Sequence, residues 1–129
     1  MSLFIWFDEY SIRNEEIDNH HKRLFEIFNM LSDSLYDENK IDMVYGLLDE
    51  LIFYSDYHFK AEEKLMIENN YVDTTMHIAR HKYFTESVIN FRESDTVCSD
   101  ELAWNTIKFL GNWLLLHVTK EDSKLAVYF

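Results

Sequence analysis

This 129-residue sequence predicts an all-α fold, an antiparallel up-down-up-down four-helix bundle with a short N-terminal arm and a C-terminal tail. Three observations carry that prediction. Proline is absent and glycine occurs only twice, so nothing punctuates long helices. Apolar residues recur at three- and four-residue steps over four separate stretches, and turn-forming polar residues collect in the short breaks between them. Breaks that short make consecutive helices antiparallel.

The first helix, at about 14 to 37, carries Ile17, His21, Leu24, Phe28, Leu31 and Leu35 on one face. Asp37-Glu38-Asn39-Lys40 breaks the pattern, and a second helix at about 41 to 67 runs through Val44, Leu48, Leu51, Ser55, His58, Glu62, Leu65 and Met66. The connection 68–72 leads to Asp73 or Thr74, either of which can cap the third helix by accepting from its free amides. That helix carries His77, His81, Phe84, Val88 and Phe91. After the polar break Ser94 to Ser99, a fourth helix at about 100 to 118 places Leu110, Leu114 and His117 in step. Leu125 to Phe129 should pack as the tail. Helices of these lengths span ~25 to 40 Å, and the whole of 1–129 reads as one domain.

Composition removes several functions. With 47% hydrophobic and 16% aromatic residues the chain has ample material for a core. Its net charge of −12 opposes phosphate backbones and anionic lipid, so nucleic acid is not an expected partner. The most apolar stretch, Phe109 to Val118, has ten residues and contains Asn112 and His117, whereas a membrane-spanning helix needs about 20. No membrane insertion is expected. Cys98 is the only cysteine and reads as an incidental free thiol, and the first six residues carry no basic segment, so the expected location is cytoplasmic.

Five of the six histidines, with Glu62, fall on the stripes that should face the core. Singly, each is an ordinary buried or boundary histidine with one hydrogen-bond partner. In pairs they carry more: His58 and Glu62 stand one turn apart, as do His77 and His81, so each pair can reach one point. Taken alone, His58 and Glu62 also suit an ordinary i,i+4 surface pair. What raises their meaning is depth, because His21 lies near the start of helix one, His58 and Glu62 near the end of helix two, His77 and His81 near the start of helix three, and His117 near the end of helix four. In an alternating bundle those are the same end. Imidazoles and a carboxylate buried together are costly without a cation. Nitrogen and oxygen donors without thiolate suit iron, with manganese, zinc or copper as lesser options. Asp122 follows His117 by five residues, which is no α-helical repeat, so helix four must loosen, widen or end there if both are to point inward. By spacing alone, Asp122 reads as a solvated acid.

At this point the sequence resembles the hemerythrin family, of the single-domain bacterial type. The pieces that carry the resemblance are Trp6, Ile17-Asp18-Asn19-His20-His21-Lys22-Arg23-Leu24-Phe25, the block from His58 to Met66, His77-Ile78-Ala79-Arg80-His81, and the block from Trp113 to Asp122. The resemblance implies that His77, His81 and His117 hold one iron, His21 and His58 the other, and that Glu62 and Asp122 bridge the two. His20 stands where the family often has glutamine, and reads as a neighbour of the site or a surface residue.

By that assignment, two iron ions joined by an oxo or hydroxo bridge leave one octahedral position open, on the iron with two histidines. The resemblance implies that dioxygen binds there reversibly. A lining that keeps acid and bulk water away favours reversibility over oxidation chemistry, and Leu24, Phe59, Trp113 and Leu114 adjoin the ligands closely enough to supply it. All four are equally ordinary core residues. Phe84 and Met66 read as core only, and Asp18, Glu63 and the tyrosines have no role legible from spacing.

The expected function is therefore oxygen binding, for carriage, storage or delivery, and not enzymatic turnover. The alternative is a sensor or scavenger of oxygen, nitric oxide or peroxide at the same centre, with an unidentified protein partner receiving oxygen or signal. Ferritin-like di-iron enzymes typically present Glu-x-x-His motifs from two helices, and this chain has none. A structural zinc site is the plainest competing reading.

Overall fold

The computed structural model describes residues 3–35, 37 and 40–129. Its four helices are α1 (Glu15–Ser34), α2 (Lys40–Glu68), α3 (Thr74–Glu93) and α4 (Asp100–Leu116), with no strand among the described residues. Each packs on its neighbours in sequence, and α1 also packs on α4, closing a square. No described helix is long and apolar enough to cross a membrane.

α1 begins where Asn14 turns its side-chain oxygen over the helix end and accepts from the Ile17 amide at 3.0 Å. Glu15, Glu16 and Asp18 in the first turn add negative charge at the positive end of the helix dipole. The helix stops at Ser34, three residues before the expected end, because the Asp37 amide closes a tight turn on the Ser34 carbonyl at 3.1 Å. Glu38 and Asn39, in the break expected at 37–40, lie outside the described residues, as does Tyr36.

α2 is closed off by Asn70, two residues past its end, whose left-handed φ of 52° lets the Tyr71 amide return to the Met66 carbonyl at 2.9 Å. Asn is one of the few side chains that tolerates that conformation. Asp73 holds the N-cap position of α3, but its side chain accepts nothing from the helix. Its ψ of 22° departs from the extended backbone that aims a capping oxygen at the first-turn amides. Thr74 turns back instead, donating its hydroxyl to the Tyr71 carbonyl at 2.6 Å.

Inside the square, Leu24, Phe28, Leu31, Leu48, Leu51, Phe84, Val88, Ile107, Leu110 and Leu114 form one continuous core. Met66, Tyr71 and Leu125 form a second cluster, in which Leu125 anchors the tail. The N-terminal arm is clasped to α1 by Asn29, which accepts from the Phe4 amide at 2.9 Å and donates to its carbonyl at 2.8 Å. That clasp drives the Phe4 ring onto Gly111 of α4, where a β-carbon would collide with it.

Candidate metal centre

The four helix ends that the sequence places together do meet. His21 comes from the second turn of α1, His58 and Glu62 from the last turns of α2, and His77 and His81 from the first turns of α3. His117 follows α4. All are buried, as is Asp122, and Glu62, His21 and Asp122 have no exposure at all.

The five-residue step from His117 to Asp122 is solved by a change of helix type. Residues His117–Glu121 form a π-helix, and the Asp122 amide donates to the His117 carbonyl, five residues back. A wider turn brings residues five apart onto one face, which a regular α-helix does not. Of the three options open to the sequence, the helix widens.

The donor atoms fall into two overlapping groups. Those of Glu62, His77, His81, His117 and Asp122 lie within 4.8 Å of one another, and so do those of His21, His58, Glu62 and Asp122. Each carboxylate divides its oxygens between the groups. On one side, Glu62 Oε1 is 2.7 Å from His77 Nε2 and 3.2 Å from His81 Nε2, while Asp122 Oδ1 is 2.9 Å from His77 Nε2 and 3.1 Å from His117 Nε2. On the other, Glu62 Oε2 is 3.7 Å from His21 Nε2 and 3.4 Å from His58 Nε2, and Asp122 Oδ2 is 3.1 Å from His21 Nε2. Donors bound at about 2.1 Å around an octahedral ion stand roughly 3 Å apart, so these separations suit atoms that share an ion as well as atoms that share a proton.

The protein alone does not satisfy these groups. His21 Nδ1 and Nε2, Glu62 Oε2, His117 Nδ1 and both Asp122 oxygens are buried without a well-directed hydrogen bond. Burial opposes charge on His21 and His77, yet the Asp122 and Glu62 carboxylates outweigh it and push both imidazoles up to about 9. His58 goes the other way: burial prevails over Glu62 and lowers it to about 4. Burial likewise resists ionisation of the two acids, but the surrounding histidines hold Glu62 and Asp122 well below the usual carboxylate range. Two buried carboxylates kept ionised among imidazoles call for cations, and the donor set fits divalent or trivalent iron.

Around this inner ring stand supporting groups. Glu63 accepts from His81 Nδ1 at 2.8 Å. Sequence reasoning missed it, since a residue adjacent to Glu62 on a helix points about 100° away, and only the packing of α2 on α3 brings it to His81. His20 is a buried neighbour of the site, with Nδ1 at 3.1 Å from His58 Nδ1 and its ring against those of Tyr54 and Tyr57. Arg80 of α3 is ion-paired with Glu121 of the π-helix, bracing the segment that carries Asp122.

The expected lining residues take different places. Leu24 and Leu114 are fully enclosed in the core. Phe59 lies flat on His81, with centroids 3.9 Å apart, and Trp113 lies flat on His117 at 4.8 Å. Both rings therefore pack on the three-histidine side. The two-histidine side is approached by Trp6, whose ring centroid is 6.4 Å from that of His21. Cys98 is exposed and free in the turn Asp95–Cys98 that precedes α4.

A closed four-helix bundle with a buried carboxylate pair flanked by three imidazoles and by two defines a metal-binding protein of a particular kind. Comparison with known proteins agrees. Residues 13–128 match the Hemerythrin HHE cation binding domain family. A bacteriohemerythrin of Clostridium acetobutylicum is 30% identical over 125 residues, covering 93% of this chain and 96% of that protein. A hemerythrin-like protein of Naegleria gruberi is 32% identical, covering 95% and 91%. The crystal structure of a wild-type hemerythrin superposes with a TM-score of 0.84 at 27% identity, covering 97% of this chain and 96% of that one. The chain belongs to the hemerythrin family of non-haem iron proteins.

Proposed function

We propose that this protein binds dioxygen reversibly at a centre of two iron ions, as an oxygen-binding protein and not an enzyme. His77, His81 and His117 hold one ion, His21 and His58 hold the other, and Glu62 and Asp122 bridge them. The observation that carries this reading is the division of each carboxylate's two oxygens between a three-histidine and a two-histidine group. An unequal split leaves the ligand shells unequally filled, and so leaves room for a small ligand at the two-histidine position. When bound, iron supplies the redox electrons that reversible dioxygen binding requires.

The chain's own contribution is to orient and to enclose. Glu63 and His20 fix the rings of His81 and His58. Leu24, Phe59 and Leu114 close the centre on its core side and Trp113 covers His117 on the outer side, where they limit access of water and acid. Cys98 as the single thiol is consistent with a reducing cytoplasm.

Metal quantification together with the visible spectrum, with and without azide, tests the reading. About two irons per chain and an azide-dependent band are expected. Anaerobic reduction followed by air should then give an oxygenated spectrum that reverses over repeated cycles. Irreversible oxidation in the first cycle, steady turnover of peroxide or nitric oxide, or about one zinc per chain would each replace this function with another.

A further inference from the structure

The outer face of α4 differs from the rest of the surface. Leu102, Phe109 and Leu116 stand seven residues apart and are 54%, 56% and 58% exposed. Thr106 and Trp113 occupy the steps between them and are half-buried. Single exposed apolar residues are ordinary, but these fall on one stripe with the alternating four- and three-residue spacing of a helix–helix seam. From Leu102 to Lys120 there is no Asp or Glu, in a chain that has 24. The charges lie at its ends: Asp100 and Glu101 precede the stripe and Lys120 closes it, with Lys108 alone between.

We propose that this stripe docks a second copy of the chain, antiparallel, with Phe109 near the two-fold axis. A two-fold interface must be self-complementary, and the stripe is so in one direction only. Antiparallel pairing about Phe109 sets Leu102 of one copy beside Leu116 of the second and brings Glu101 toward Lys120 at both ends. Parallel pairing would set Glu101 against Glu101 and Lys120 against Lys120. Two molecules each carrying −12 repel over most of their surface, and along Leu102–Lys120 neither copy of α4 presents a carboxylate to the other, while Glu121, just beyond, is already paired with Arg80. The same register lays the Leu102 end of the second copy over a surface cavity of about 310 Å³ bounded by Arg80, Trp113, Leu116, His117, Lys120 and Glu121. One helix seam is small, so the dimer is a weak, reversible one.

Sedimentation velocity of the full chain from ~10 μM to ~1 mM tests this. The sedimentation coefficient should rise from the monomer to the dimer value over that range. Phe109→Glu, at an exposed position that leaves helicity by circular dichroism unchanged, should weaken association by at least ~100-fold. Lys120→Glu should weaken it several-fold, and adding Glu101→Lys should restore it. Dimerisation of Phe109→Glu at wild-type strength, or failure of the double charge reversal to restore association, overturns the proposal. So does a wild type that stays monomeric at ~1 mM, which leaves the face to an unlike partner or to solvent.

Discussion

An imidazole that presents Nε2 to a metal carries its proton on Nδ1, and what receives that proton sets the ring's orientation and basicity. In this protein the acceptors differ. His81 donates to the carboxylate of Glu63 and His58 to the neutral ring of His20, whose own pKa is lowered by burial. Replacing His20 with alanine removes the acceptor and leaves a hole beside Tyr54 and Tyr57. The expected result is metal loss to a chelator ~10- to 100-fold faster than in the wild type, with His20→Gln much closer to wild type because its carbonyl oxygen can still accept. At this scale the sequence was partly legible. The sequence leaves His20 either as a neighbour of the site or as a surface residue, and nothing in its spacing points to His58. Glu63 looked like any acid on a helix, because the contact that gives it a role crosses from α2 to α3.

At the scale of single elements, the centre depends on the five π-helical residues that follow α4. The sequence marked the difficulty, a five-residue step that no α-helix accommodates, without settling how it is met. Inserting one alanine after Thr119 should turn Asp122 by about 100° and strip at least half of the bound metal, while the helical content of the metal-free protein stays the same. Metal analysis after desalting measures the loss. The arm of residues before α1 offers a second test. Gly111→Ala would ordinarily favour a helix, but here the added methyl meets the Phe4 ring held by Asn29. Overpacking should win, lowering stability by about 1–3 kcal/mol in chemical denaturation. The helix spans themselves were the most legible feature, since three- and four-residue periodicity reports directly on burial. Their ends were less so: α1 stops where a local turn outcompetes the apolar pattern, and Asp73 caps α3 by position without its side chain.

For the molecule as a whole, the charge at the centre couples folding to pH. In the unfolded chain the histidines lose their protons near 6.5, whereas in the metal-free fold His21 and His77 keep theirs up to about 9. The stability they contribute is therefore complete below 6.5 and lost as pH rises through about 9. His58 has the opposite sign: its contribution is present above 6.5 and lost as pH falls toward about 4. The melting temperature of the metal-free protein should accordingly fall between about pH 7 and pH 9.5, and calorimetry should find that fall abolished in the loaded protein, whose ligand histidines are held neutral.

The three tryptophans are unevenly placed with respect to the centre, and two of them divide it between them. Trp113 stacks on His117 of the three-histidine group, and Trp6 approaches His21 of the two-histidine group. Each histidine group thus has its own indole, within quenching range of a paramagnetic ion bound there. Light emission from variants that keep only one of these fluorophores would reveal whether metal quenches both indoles, and, on the two-iron reading proposed above, in what order the two groups fill.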